Sequence, residues 1–194
     1  MNNLQVIGLA GTNGSGKDTV GHLLADKHNY LFISVTDLLR NEAKRRGLAP
    51  ERKVLRTISA EWRRELGLGV LIDKAVAEYD TVRDQYTGVV MASLRNPGEA
   101  DRVHDLDGTV VWIDADPKIR YERIQTNAVS RGRAEEDNKT YEQFLEEEAA
   151  EMHSSGDAAT LDMAAVKEKS DVCIDNGHET LEELQTHLNE KLGF

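Results

Sequence analysis

The residues with the clearest chemical signal are Gly11-Thr12-Asn13-Gly14-Ser15-Gly16-Lys17, which fit the pattern G-x-x-x-x-G-K. Glycines at this spacing let successive backbone N–H groups turn inward around phosphate oxygens, and the lysine ammonium reaches the outer phosphates. The apolar run Leu4 to Ala10 before the loop reads as a buried strand. Val20, Leu23 and Leu24 after it recur at helical spacing from Lys17 to Lys27. Strand, loop and helix form the context this chemistry needs, because the helix N-terminus turns its positive dipole end toward the anion. The expected ligand is the phosphate chain of ATP, held by Gly11, Asn13, Gly14, Ser15, Gly16 and Lys17; an ordinary glycine-rich turn is the competing reading. The pattern departs at one point: Asp18 stands where Ser or Thr normally follows the lysine, and Thr19 comes next.

Arginines recur at the ends of later apolar runs. Tyr30 to Val35 (YLFISV) is followed by Thr36-Asp37-Leu38-Leu39-Arg40, and Gly88 to Ala92 (GVVMA) by Ser93-Leu94-Arg95-Asn96-Pro97-Gly98-Glu99-Ala100. A guanidinium fork suits a phosphate dianion better than an ammonium does. After Thr109 to Ile113 (TVVWI), Arg120 and Arg123 lie on an expected helix, Pro117 to Ile124, with Ser130-Arg131-Gly132-Arg133 in a polar stretch beyond it. Asp175-Asn176-Gly177-His178 follows the last apolar run, Asp171 to Ile174.

In this order the segments resemble the adenylate-kinase-like P-loop kinases over nearly the whole chain. Asp37 to Leu48 (DLLRNEAKRRGL) and Trp62-Arg63-Arg64-Glu65-Leu66-Gly67 are most similar to an archaeal adenylate-kinase-like family. The junction around Arg95 also resembles deoxynucleoside monophosphate kinases. The resemblance implies a three-layer α/β P-loop kinase fold, a five-stranded parallel sheet with helices on both faces. It implies ATP with Mg2+ as phosphate donor, and Arg40 and Arg95 on the acceptor phosphate. Lid arginines Arg123, Arg131 and Arg133 would neutralise the transferring phosphoryl, and Asn176 would sit in the loop lining the donor base. Thr19 would face the phosphates and the metal, directly or through water, with Asp18 in solvent or serving the helix start.

Asp37 has two readings. It resembles the aspartate that takes the acceptor hydroxyl proton in dephospho-CoA kinase, and it is equally suited to stabilising a first helical turn. Related kinases carry an aspartate just before the second arginine junction, where this chain has Ala92 and Ser93. Asp37, Asp18 or ordered water would then organise the magnesium water, or catalysis would be slow, or the protein would bind nucleotides without turnover. The implied activity is an ATP-dependent nucleoside monophosphate kinase; dephospho-CoA kinase and a non-catalytic nucleotide-binding regulator are the alternatives. A GTPase switch is disfavoured, because Asp105-Leu106-Asp107-Gly108 precedes a strand and no N-K-x-D follows.

These residues need a frame, and 194 residues with 39% hydrophobic and 30% charged content suit one domain. The expectation is a single unit over 1–194, with an acceptor-binding helical insert at about 36–86 and a short lid at about 128–138. Helices are expected from Thr36-Asp37 to Arg46, from Pro50 toward Gly67, over Leu71 to Tyr79, Pro97 to Val103, Thr140 to Met152 and Glu179 to Leu192. A net charge of −11 argues against nucleic-acid binding and leaves small nucleotides as the expected partners. No apolar run is long enough for a membrane span, and the single cysteine, Cys173, reads as a buried thiol; both suit the cytoplasm. Arg40 to Arg64 holds nine Lys/Arg against three Glu, and Ala134 to Asp171 twelve Asp/Glu against three Lys. The basic stretch is either a pocket for an anion or a solvated helix. Trp62 and Trp112 read as packing residues, and the six histidines lack metal-ligand spacing.

Overall fold

The computed structural model of the chain describes residues 5–127, 139–153, 155–177 and 180–194. Five parallel strands, β1 (Gln5–Ala10), β2 (Tyr30–Ser34), β3 (Gly88–Leu94), β4 (Thr109–Asp114) and β5 (Val172–Asp175), form one sheet in the order β2-β3-β1-β4-β5. Every residue of β3 is buried, which is why GVVMASL is a continuous apolar run and not an alternating one. The connecting helices are α1 (Lys17–His28), α2 (Val35–Arg45), α3 (Arg52–Leu66), α4 (Val70–Asp80), α5 (Pro97–Asp105), α6 (Pro117–Asn127), α7 (Tyr141–Met152), α8 (Met163–Glu168) and α9 (Leu181–Leu192).

Two apolar layers enclose the sheet. On one face Met91, Leu94 and Trp112 pack against Leu39 of α2, Ile58 of α3, Leu71 of α4 and Val166 of α8. On the other, Leu9, Val111 and Ile113 pack against Val20 and Leu24 of α1 and Leu184 and Leu188 of α9. The architecture is therefore the expected three-layer α/β P-loop kinase fold, with a five-stranded parallel sheet.

Several local features depart from the sequence expectations. Helix α2 begins at Val35, directly after β2; its cap is Ser34, whose Oγ accepts from the Asp37 N–H at 3.4 Å, and not the Thr36-Asp37 pair. Val35 is 2% exposed, so the chain turns early enough to keep it in the core. Pro50 lies outside α3, whose N-cap is Glu51. Helix α8 was not expected, because six residues show too little periodicity; Asp162 caps it by accepting from the Ala165 N–H, and Met163 and Val166 are buried. Cys173 is exposed, contrary to the reading of a buried thiol, because β5 is an edge strand and only Ile174 of its four residues is buried.

Candidate functional site

The phosphate loop starts where β1 runs out beside β4. Gly11 has φ +142°, and a Cβ there would stand 2.1 Å from the Ile113 carbonyl oxygen, so no other residue fits. Gly16 is the N-cap of α1 at φ +90°, and a Cβ there would meet Asn176 Nδ2 at 2.2 Å. That Asn176 amide, almost fully buried, donates to the Ser15 carbonyl at 2.8 Å. Thus the loop after β5 braces the phosphate loop from behind. Lys17 Nζ donates to the Thr12 carbonyl at 2.8 Å, spanning the loop, and Thr12 Oγ1 is buried without a hydrogen-bond partner. Asp18 and Thr19 are exposed on the first turn of α1.

Arg120, which the sequence reading passed over in favour of Arg123, is 2% exposed and clamps this loop. Its Nε donates to the Ala115 carbonyl at 2.8 Å and its Nη1 to the Asn13 carbonyl at 3.5 Å, while both terminal nitrogens grip the Glu148 carboxylate of α7. Helical spacing had shown it only as the residue one turn before Ile124, and its pairing with Glu148 comes from a distant helix. Arg123 Nη2 donates to the Asn176 carbonyl at 2.9 Å, and its Nη1 is buried without a partner. Arg131 and Arg133 lie outside the described residues.

On the other side, β2 and β3 are neighbours and β3 lies beside β1, so the Arg40 and Arg95 junctions lie on the same side of the phosphate loop. Arg40 Nη1 pairs with Asp37 Oδ1 at 2.6 Å on the surface of α2. Arg95 Nη1 donates to Glu151 Oε2 of α7 at 2.8 Å. The Arg95 backbone is held by a buried network. Glu99 Oε2 accepts from the N–H groups of Arg95 at 2.7 Å and Asn96 at 3.2 Å, while Glu99 Oε1 accepts from Arg63 Nη2 at 2.6 Å. Arg63 and Glu99 are both almost completely buried, so the pair relies on these bonds and on Arg63 Nη1 donating to the Ala159 carbonyl at 2.9 Å. The Asn96-x-x-Glu99 capping-box spacing was the available sequence signal for Glu99. Just before Arg95, β3 gains an extra residue: Leu9 pairs with Ala92 and Ala10 with Leu94, leaving Ser93 in a bulge at φ +78°.

Glu151 sits among Arg95, Arg52 and Arg56. Burial pushes its carboxyl up, but the three guanidiniums and a hydrogen bond from Arg56 outweigh this and hold it below the usual carboxylate range. Asp114, at the end of β4, is likewise pushed up by burial and held lower by hydrogen bonds from Trp112 Nε1, Lys167 and the Ala115 N–H. Among the described residues no group of three His, Cys, Asp or Glu side chains is arranged to hold a metal ion. Thr19 and Asp18, next to Lys17 in sequence and exposed, carry the kind of oxygen donors that suit a magnesium ion keeping most of its shell as water and phosphate oxygens. No helix among the described residues is long and apolar enough to cross a membrane.

A glycine loop braced on a parallel sheet of this order defines the P-loop kinase superfamily. Residues 7–153 match the AAA domain family. The UPF0200 protein of Pyrobaculum aerophilum is 28% identical over 193 residues, covering 97% of both chains. The UPF0200 protein of Pyrococcus abyssi is 30% identical over 152 residues, 76% of this chain and 78% of that protein. The chain belongs to the AAA domain family and to the UPF0200 proteins. The crystal structure of shikimate kinase from Bacteroides thetaiotaomicron shares the fold, with a TM-score of 0.57 at 14% identity over 98% of this chain and 99% of that one.

Proposed function

We propose that this protein transfers the γ-phosphoryl group of ATP to the phosphate of a nucleoside monophosphate. The observation that carries this reading is the sheet order: β2 and β3 run side by side next to β1, so two arginine-bearing junctions open beside one phosphate loop. Ligands of parallel α/β sheets bind at these carboxyl ends. Lys17 and the loop N–H groups hold the donor phosphates, and Arg40 and Arg95 orient the acceptor phosphate. An oxygen of that phosphate attacks the γ-phosphorus as the bond to the ADP oxygen breaks, giving ADP and a nucleoside diphosphate. A phosphate oxygen needs no base to do this, which suits a β3 terminus of Ala92-Ser93 with no carboxylate. Arg123, Arg131 and Arg133 neutralise the charge in flight. Thr19 would hold magnesium, directly or through water, and the ion would supply charge neutralisation on the donor phosphates.

A second reading, a hydroxyl acceptor such as dephospho-CoA with Asp37 as base, draws on the exposed Asp37 carboxylate at the start of α2. The test is ATP consumption with magnesium across ribo- and deoxynucleoside monophosphates and dephospho-CoA, with products identified by mass. A nucleoside diphosphate product is expected. Phosphorylated dephospho-CoA selects the second reading, and nucleotide binding without acceptor-dependent turnover overturns both.

A further inference from the structure

Between α3 and α7 runs an open groove of about 690 Å³, lined on the α3 side by Arg52, Lys53, Arg56 and Arg64 and on the other by Lys139 and Glu147. With Glu51 as its second carboxylate, the lining carries five cations against two anions. Carboxylates next to the lining offset part of this excess, Glu151 pairing with Arg56 and Asp157 with Arg64, yet the groove stays less acidic than a chain at −11 overall. The groove is joined to the Arg95 junction by a single carboxylate. Glu151 accepts from Arg95 Nη1 at 2.8 Å through one oxygen and from Arg56 Nη2 at 2.5 Å through the other, with Arg52 Nη1 at 3.9 Å. Three guanidiniums around one largely buried carboxylate form an anion site that the protein fills with its own side chain. A phosphate offers more acceptor oxygens and up to two charges, so in the groove it satisfies Arg52 and Arg56 better than the Glu151 carboxylate does, and its arrival leaves Arg95 to the reacting phosphate.

We propose that this groove is a second anion subsite of the acceptor, so that the preferred acceptor carries another phosphate-like group besides the one at Arg95, and that Glu151 occupies the entrance until that group displaces it. The inference rests on the acceptor reading given above. An acceptor of this class is a nucleoside bisphosphate or another nucleotide with a second dianionic group remote from the reacting phosphate. Lys53 and Arg64 line the groove, Arg64 also pairing with Asp157 at 2.5 Å, and in this proposal they serve the second group alone.

The experiment compares direct binding of nucleoside 5′-monophosphates with the matching 3′,5′-bisphosphates by calorimetry, in the wild type, in Lys53→Ala/Arg64→Ala and in Glu151→Gln. The wild type is expected to bind a bisphosphate at least tenfold more tightly. The double variant is expected to lose that preference with its monophosphate affinity unchanged, and Glu151→Gln to bind the bisphosphate more tightly than the wild type. Thermal melting of each variant separates these effects from misfolding. Equal wild-type affinity for the two ligands, no binding of either, or a preference that survives in the folded double variant overturns the subsite. Weaker bisphosphate binding in folded Glu151→Gln overturns the displacement. Because binding is read without turnover, these outcomes are distinct from failure of the kinase reading, which appears as ATP bound but no phosphate transferred to either ligand.

Discussion

The phosphate loop and the proposed acceptor side around Arg95 are built on different principles. The loop's shape is set locally, by glycine conformations and by Lys17 reaching the Thr12 carbonyl five residues back, and Arg120 and Asn176 only brace it from afar. The acceptor side is assembled from distant charges. Arg56 and Glu151 are 95 residues apart, Arg95 and Glu151 56, and Arg63 and Glu99 36. A locally specified loop shows itself in a seven-residue window, whereas a site made of long-range ion pairs exists only once the sheet has brought its helices together. The two regions meet at α7, where Glu148 takes Arg120, the α6 residue that clamps the loop, and Glu151 takes Arg95.

The contrast can be tested by four sets of substitutions. Lys17→Ala should lower transfer by about 10²–10³-fold or more, as loss of a preorganised phosphate contact does, with little change in unfolding midpoint. Unchanged turnover would break the assignment of the loop. Glu99→Gln leaves Arg63 uncompensated inside the acceptor side and should cost about 3–5 kcal/mol in urea unfolding. A loss like that of a surface pair would mean that the buried network does not hold this region. Arg95→Ala should raise the acceptor KM by roughly ten- to a hundredfold with a smaller change in kcat, as loss of a charged hydrogen bond does. Equal losses in kcat and kcat/KM would shift Arg95 from binding to the transition state.

The smallest effect belongs to the exposed end of α2. Hydrogen bonds from Arg45, then Arg46, hold the Glu42 carboxyl down to about 2 against its usual 4.5. A depressed pKa contributes stability above the unfolded value and loses it as pH falls through the folded one. Glu42→Gln should therefore cost under about 1 kcal/mol at neutral pH, and the difference from the wild type should vanish near pH 2. A difference that persists at pH 2 would place the effect in packing instead of charge.

The order of the elements was legible because apolar runs, caps and glycines are local signals. The strands that lead to Gly11, Arg40 and Arg95 could be recognised without knowing which strands are neighbours. Features set by neighbours were less accessible. Val35 moved the start of α2 because it had a core to fill, and Cys173 proved exposed because β5 is at the sheet edge. Arg120 gave no signal beyond helical spacing, since its partners Asn13 and Glu148 are 107 and 28 residues away.

By itself, the sequence determined the phosphate loop, the parallel α/β class and the two arginine junctions, because each depends on residue types within a few positions of one another. The tertiary structure decided what the charged segments do. The basic stretch Arg40 to Arg64, which includes α3, read alone as a pocket for an anion or a solvated helix, and the acidic stretch that includes α7 read only as a run of charge. Packed together they neutralise part of each other and leave a cationic groove, because electrostatic energy depends on distance in space and not along the chain.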